Sequence, residues 1–375
     1  MFALSAEHVE LQAHARAVAR EQLRDVAACG EPGRLNRPLV AALADTGLLP
    51  RLFPRSAGGE REGTVSALDL CLLREALAQE STEAETALGL QGLGSYPILQ
   101  SGSQELVKRW IPEVAQGRAI PAFALTEPGA GSDAAALSLR AEPDGDGYRL
   151  TGEKKWISNA PEADVFVVFA RTADTGAKGV TAFVVEGGAP GLSGQHLELI
   201  APHAIGTLVF DGVAVGPDAV LGEEGRGFQV AMRTLDLFRP SVGAFAAGMA
   251  QAALDASVYH ASSRRAFDRP LKDFQAVSHS LADMATKVDA ARLLVYRAAS
   301  DYDAGRPVTR TAAMAKLFST EIAQEVIDAA VQIHGAVALE KGHLLEHLYR
   351  EIRATRIYEG TSEIQRNIVA RSLFE

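Results

Sequence analysis

The sequence predicts a multidomain α+β protein: an N-terminal all-α domain, a middle antiparallel β-barrel or sandwich, and a C-terminal four-helix bundle. Three observations predict it. Apolar residues recur at helical spacing up to about Pro121. From there to about Gly225 the period falls toward two, with Gly and Pro punctuating short runs. Helical spacing then returns in longer, alanine-rich stretches. The expected domains are 1–121, 122–225 and 226–375.

The elements follow in order. Residues 7–28 place Val9, Ala13, Ala17 and Leu11, Ala15, Val18 on one face, with charges opposite. A short helix over 38–48 ends at Gly47, and Ser56-Ala57-Gly58-Gly59 is a loop. Helices are expected over 64–79 (Leu68, Leu72, Leu73, Ala76, Leu77), over the apolar stretch 83–100, and over 104–115, where Leu106, Trp110 and Val114 lie four apart. Strands are expected at 148–151, 165–170, 180–185 and 207–210, with Asp144-Gly145-Asp146-Gly147 as a hairpin turn. Strands without helices between them make the sheet antiparallel. Helices return over 227–262, 275–305, 309–334 and 344–353; in the third, Ala315, Ile322, Val326, Ala330 and Ile333 mark the buried face.

Composition narrows the function. At 375 residues the chain can bury a large core, and 47% hydrophobic with 22% charged residues is ordinary for a globular protein. A net charge of −10 argues against electrostatic nucleic-acid binding. Cys29 and Cys71 form no metal or disulfide pattern, which points to a reducing compartment. The first residues lack a basic n-region and an apolar h-region, and no run of about eighteen apolar residues exists. The expected setting is the cytoplasm, with no membrane partner, and the abundance of Ala, Arg and Gly suggests a bacterial gene.

Four stretches carry candidate chemistry. In Arg356-Ile357-Tyr358-Glu359-Gly360-Thr361-Ser362-Glu363-Ile364-Gln365-Arg366, Gly360 permits unusual backbone geometry and Thr361 or Ser362 can cap a new helix. Glu359 then stands at a tight turn, either as a base or as a solvated acid at a helix terminus; the residues alone favour the latter. Thr126-Glu127-Pro128-Gly129-Ala130-Gly131-Ser132-Asp133 loosely matches a dinucleotide fingerprint. However, Pro143 and the hairpin follow too soon for the required long helix. The loop can still offer N–H groups to a phosphate or flavin oxygen, or be a plain turn. In Gly152-Glu153-Lys154-Lys155-Trp156-Ile157-Ser158-Asn159, the indole could stack on a planar ring while the Ser158 hydroxyl bonds its edge; core packing is the ordinary fate of such a Trp. Ser263-Arg264-Arg265-Ala266-Phe267-Asp268-Arg269-Pro270 suits pyrophosphate or a solvated loop. His334 lacks partners at metal spacing, and His343 and His347 lack the zinc-protease glutamate, so no metal is expected.

The order of these stretches resembles the acyl-CoA dehydrogenase family of flavoproteins over nearly the whole chain. Ala124 through Asp133, Gly152 through Asn159 and Ile357 through Arg366 carry the likeness. The resemblance implies FAD as cofactor, an acyl-CoA substrate, an electron-transfer flavoprotein as electron acceptor, and a homodimer or homotetramer. Glu359 matches the base of short- and medium-chain members. In other members the base lies on an earlier helix, where this chain has Leu235-Asp236-Leu237-Phe238-Arg239, and Phe238 cannot be a base. By resemblance Leu125, Thr126, Trp156 and Ser158 contact the flavin, and Ser132 lies near the flavin phosphate or the acyl-CoA. Arg264, Phe267, Gln275 and Gln332 hold the pyrophosphate and adenine end, and Thr361 and Glu363 another part of that contact. Arg239 lies near the active-site entrance, with Tyr358 and Gly360 beside the substrate. In the family the thioester carbonyl is bonded by the N–H of the base and by a flavin hydroxyl. Two departures stand out: Gly335-Ala336-Val337-Ala338 replaces a Gly-Gly-x-Gly pattern, and Leu199 through Gly206 is unlike the usual link before the last strand. The same fold could instead act on a carrier-bound acyl group, act as an oxidase, or bind flavin without catalysis.

Overall fold

The computed structural model describes residues 4–374. Its helices are α1 (Ala6–Val18), α2 (Arg24–Ala28), α3 (Arg37–Asp45), α4 (Ala67–Ala78), α5 (Thr82–Ser101) and α6 (Gln104–Ala115). Strands follow: β1 (Pro121–Ala124), β2 (Arg140–Asp144), β3 (Gly147–Ser158), β4 (Val165–Arg171), β5 (Val180–Glu186), β6 (Leu192–His196), β7 (Ile205–Val215) and β8 (Val220–Leu221). Then come α7 (Gly227–Ser263), a hairpin of β9 (Arg265–Ala266) and β10 (Arg269–Pro270), α8 (Gln275–Asp303), α9 (Thr309–His334), α10 (Leu344–Thr355) and α11 (Ser362–Arg371). The helix, strand, helix order is the one the periodicity predicts. A π-helical turn, Ala19–Leu23, joins α1 to α2 within the first helical run.

The chain folds as two compact units. One takes residues up to Glu21, Ser66–Glu85 and everything from Asp236; the other takes Gln22–Val65 and Thr86–Leu235. The first is helical. Its core joins Phe245, Met249 and Ala253 of α7, Met284, Val288 and Ala291 of α8, Ile322, Val326 and Ile327 of α9, and Leu345, Leu348 and Ile352 of α10. Small residues let these helices approach closely: a Cβ on Gly248 would lie 2.4 Å from the Glu75 carbonyl oxygen of α4. Burying the core side chains is worth roughly 1.5–3 kcal/mol for each large aliphatic one.

The second unit is built on an eight-stranded sheet in the order β6-β7-β3-β2-β4-β5-β8, with β1 also on β4. Pairing is antiparallel in the main, but β1 runs parallel to β4 (Pro121↔Val165 to Ala124↔Val168), and β2 meets β4 in parallel at Arg140↔Arg171. The all-antiparallel sheet read from the sequence is therefore mixed in this corner. Every residue of β4 is buried, which explains its uninterrupted apolar run. The strands that periodicity missed are β1, β2, β6 and β8. The edge strand β6 reads Leu-Ser-Gly-Gln-His, and β2 contains Pro143, so neither presents an alternating apolar face. The predicted hairpin is present: Asp144 pairs with Gly147 around Gly145 at φ 65°.

One irregularity in β3 matters for function. Lys154 pairs with Leu208 and Ile157 with Gly206, so Lys155 and Trp156 oppose Thr207 alone. This is a β-bulge. Trp156 takes φ 56°, in the left-handed region, and its side chain stands 46% exposed.

Candidate active site

In the helical unit, α10 ends at Thr355, the chain makes a tight turn, and α11 begins at Ser362. Thr361 caps α11, its hydroxyl accepting from the Ile364 N–H. Within the turn Glu359 has φ 53° and Gly360 φ 94°. Two consecutive left-handed residues reverse the chain, and Glu359 bears a side chain there at some strain. The sequence points to Gly360 as the permissive residue; the structure adds that the glutamate shares the burden.

Three donors hold the turn. Gln365 Nε2 on α11 donates to the carbonyl oxygens of Glu359 (3.1 Å) and Gly360 (2.9 Å). Lys316 Nζ on α9 donates to Gly360 O at 2.8 Å, and Arg239 Nε on α7 to Glu359 O at 3.3 Å. Below it, Glu321 takes the Ser362 hydroxyl and pairs with Arg356 at 2.7 Å. All three donors to Glu359 and Gly360 go to backbone oxygens. The carboxylate is left over: Glu359 Oε2 is buried without a hydrogen-bond partner. The Glu359 N–H also has no acceptor among the described residues.

Burial raises the Glu359 pKa above the ordinary carboxylate value, against the opposing charges of Arg74, Lys316 and Arg239. Burial likewise lowers Lys316 to about 8, against the pull of Glu359. Arg74, on α4, is paired with Glu85 and donates to Ser241 Oγ at 2.6 Å. Arg239 is buried, its side chain 5% exposed, and it braces the turn through the Glu359 carbonyl oxygen. Tyr358 keeps 37% of its surface open.

In the sheet unit, Glu127 and Lys154 form a buried pair, Nζ to Oε1 2.8 Å. Glu127 also accepts from Ser138 N (2.6 Å), Ser138 Oγ (2.8 Å) and Leu139 N (2.9 Å), while Lys154 reaches the Leu125 carbonyl at 2.9 Å. The Lys155 N–H donates to Thr126 O at 3.0 Å. The pair thus ties Leu125 and Thr126 to the bulge that lifts Trp156. Leu125 is buried, Thr126 and Ser158 are half-buried, and Ser132 is exposed. Gly129 and Gly131 have nothing within 4 Å of an added Cβ, so the loop's outer side is open. No long helix follows the loop, as the rejection of a dinucleotide fold requires.

The remaining predicted residues sit in the helical unit. Phe267 and Asp268, at φ 49° and 62°, form the two-residue turn between β9 and β10, and Phe267 is 90% exposed. Arg264 at the end of α7, Gln275 opening α8 and Gln332 near the end of α9 are exposed, and no hydrogen bond joins them to one another. Glu363 is exposed in the first turn of α11. The glycine replacements are accommodated: after Gly335 (φ 70°) the chain makes a 3₁₀ turn, neither Ala336 nor Ala338 has positive φ, and Ala338 packs in the core. His334 is a packing histidine, stacked on His260 at 4.2 Å and bonded through Nδ1 to Ala330 O.

Sequence reasoning missed Arg74, Glu85, Glu127, Lys154, Lys316 and Gln365 as site-forming residues. A signal existed for three of them. Arg74, Lys154 and Lys316 each stand where the helix or strand period demands an apolar side chain.

The chain is similar to known proteins along nearly its whole length. The N-terminal, middle and C-terminal domains of acyl-CoA dehydrogenase match residues 5–118, 122–213 and 225–374. Cyclohexane-1-carbonyl-CoA dehydrogenase of Geobacter metallireducens is 36% identical over 366 residues, 96% of this chain and 95% of that one. The caffeyl-CoA reductase–Etf complex subunit CarC of Acetobacterium woodii is 37% identical over 92% of both. Butyryl-CoA dehydrogenase from Megasphaera elsdenii superposes with a TM-score of 0.95 at 34% identity, over the full length of both chains.

Proposed function

The chain belongs to the acyl-CoA dehydrogenase family, and we propose that it converts an acyl-CoA thioester to the 2-enoyl-CoA with Glu359 as the base. FAD is its cofactor. The residues present fit that group: an exposed indole raised by a bulge, a half-buried hydroxyl two residues on, and an open glycine loop tied to the same strand. Leu125, Thr126, Trp156 and Ser158 would face the ring system, and Ser132, Arg264, Phe267, Gln275, Gln332, Thr361 and Glu363 would take the phosphate and adenine parts. When bound, FAD supplies the redox chemistry by accepting the β hydrogen as hydride at N5.

The observation that carries the reading is the Glu359 carboxylate, raised in pKa, with its Oε2 buried and without a hydrogen-bond partner. An oxygen held in this way can take the α proton, and its raised basicity brings that transfer nearer to neutral pH. The unpartnered Glu359 N–H is placed on the same residue. It would donate to the thioester carbonyl and stabilise the enolate-like transition state. Tyr358 and Gly360 flank it, and Arg239 and Lys316 act from behind, on the backbone.

A short or cyclic acyl group heads the substrates to test. Phe238 and Phe245 are buried in the same unit as Glu359, and one relative acts on a cyclohexane carbonyl thioester. The electron acceptor in this reading is an electron-transfer flavoprotein, as the name of the CarC relative suggests. The working form is a homodimer or homotetramer in the cytoplasm; among the described residues no helix is long and apolar enough to cross a membrane.

Glu359→Gln tests the assignment. It should retain FAD and lose about 10²–10⁴-fold in the rate of anaerobic flavin bleaching by butyryl-CoA or cyclohexane-1-carbonyl-CoA. Turnover near that of the parent would remove Glu359 as the base.

A further inference from the structure

We infer that Gln365 and Lys316 are positioning residues for Glu359, acting through backbone oxygens to hold the left-handed turn that leaves its carboxylate and N–H uncommitted. The inference rests on the reading of Glu359 as the base.

The geometry is specific. Carbonyl oxygens have two lone pairs, and at this turn they attract side chains from three helices. The Gln365 amide bridges both oxygens from α11, Lys316 reaches Gly360 O from α9, and Arg239 reaches Glu359 O from α7. Gln365 and Lys316 are fully buried. The fit is close enough that a Cβ on Gly360 would come within 2.6 Å of Gln365 Nε2. A non-glycine residue at φ 53° persists only where its surroundings over-determine it, and these donors supply that.

The choice of acceptor matters as much as the bonds. Were Lys316 or Arg239 bonded to the Glu359 carboxylate, its lone pairs would be occupied and its basicity lowered. Directing the donors to main-chain oxygens fixes the residue while its acid group stays available. The charged groups facing Lys316 are Glu359 and Glu363 from the turn and α11, Arg239 from α7 and Glu321 from its own helix.

The test uses the FAD-loaded enzyme, with butyryl-CoA and cyclohexane-1-carbonyl-CoA as probes, and the variants Gln365→Met and Lys316→Met alone and combined with Glu359→Gln. Each single variant should lower the bleaching rate constant tenfold or more, with KM changed less than twofold. Flavin content should be kept, and the thermal unfolding midpoint should fall too little to account for the loss. In the Glu359→Gln background neither should cause a further drop, because a residue that acts through Glu359 has nothing left to position. Rates within twofold of the parent, or an equal loss in both backgrounds, overturn the proposal while leaving the base assignment intact. Retained turnover in Glu359→Gln alone overturns both. If Lys316→Met does not fold, Gln365→Met decides the question, since it leaves the Lys316 to Gly360 bond in place.

Discussion

Two glutamates, one in each unit, have opposite fates: Glu127 is fully buried, and Glu359 is half-buried with its Oε2 atom out of solvent. Glu127 accepts four hydrogen bonds, from Lys154, Ser138 N, Ser138 Oγ and Leu139 N. Burial works to raise its pKa, but the Lys154 charge and these bonds outweigh it, and the carboxyl is held below the usual value. Glu359 feels three cations, yet none of them is bonded to its carboxylate, and burial prevails. The lesson is that nearby positive charge does not by itself make a carboxylate inert. What decides is whether donors are spent on the carboxylate or on the backbone beside it.

Crossed substitutions sharpen this contrast. The largest effect is the catalytic loss in Glu359→Gln given above, and that variant should unfold at the same temperature as the parent or higher, because a buried uncommitted charge is removed. Glu127→Gln should do the reverse. It leaves Lys154 buried without its counter-charge and should cost about 3–5 kcal/mol in denaturant unfolding, with turnover per bound flavin altered far less. If Glu359→Gln destabilises as much as Glu127→Gln, the two carboxylates are not different in kind.

The pH responses should also be opposed. Glu127, with its pKa lowered, contributes stability that is present above the unfolded value and lost as pH falls through the folded one. Glu359, with its pKa raised, contributes stability that is fully present below the unfolded value and lost as pH rises through the folded one. Unfolding curves of the two Gln variants against the parent between pH 4 and 8 read both signs. The acid limb of kcat/KM should lie above 4.5, the ordinary value for Glu, and an acid limb at or below it would contradict the raised pKa. The smallest effect is expected at the cap: Thr361→Ala should cost about 1 kcal/mol, measured by denaturant unfolding, and loosen α11.

Much of this was legible in the sequence. Helical and strand periods gave the α-β-α order because core burial imposes them, and Gly360 with Thr361 announced a turn and a cap that the structure contains. The missed strands lacked the signal itself: β6 is a polar edge, and β1 is short and begins with proline. The clamp on Glu359 was illegible for a different reason. Arg239, Lys316 and Gln365 are far apart in the chain, and only packing brings their donors to one turn. Lys316 and Lys154 left a trace as charges on apolar faces, but nothing in the sequence says which oxygen each would find. The bulge at Lys155 and Trp156 was likewise hidden, since register depends on the partner strand.

The helical unit gathers its chain from three separate stretches, and this has a consequence for biosynthesis. Glu75 on α4 is held by Arg292 at 2.7 Å and by the Tyr296 hydroxyl at 2.7 Å, both on α8. A ribosome adding about 5–20 residues each second needs on the order of ten seconds or more to reach them after making Glu75. During that interval Glu75 lacks both of these partners. The sheet unit, whose last stretch ends at Leu235, has its full sequence before the helical unit does. Nascent α4 thus carries a carboxylate whose two partners arrive only with α8.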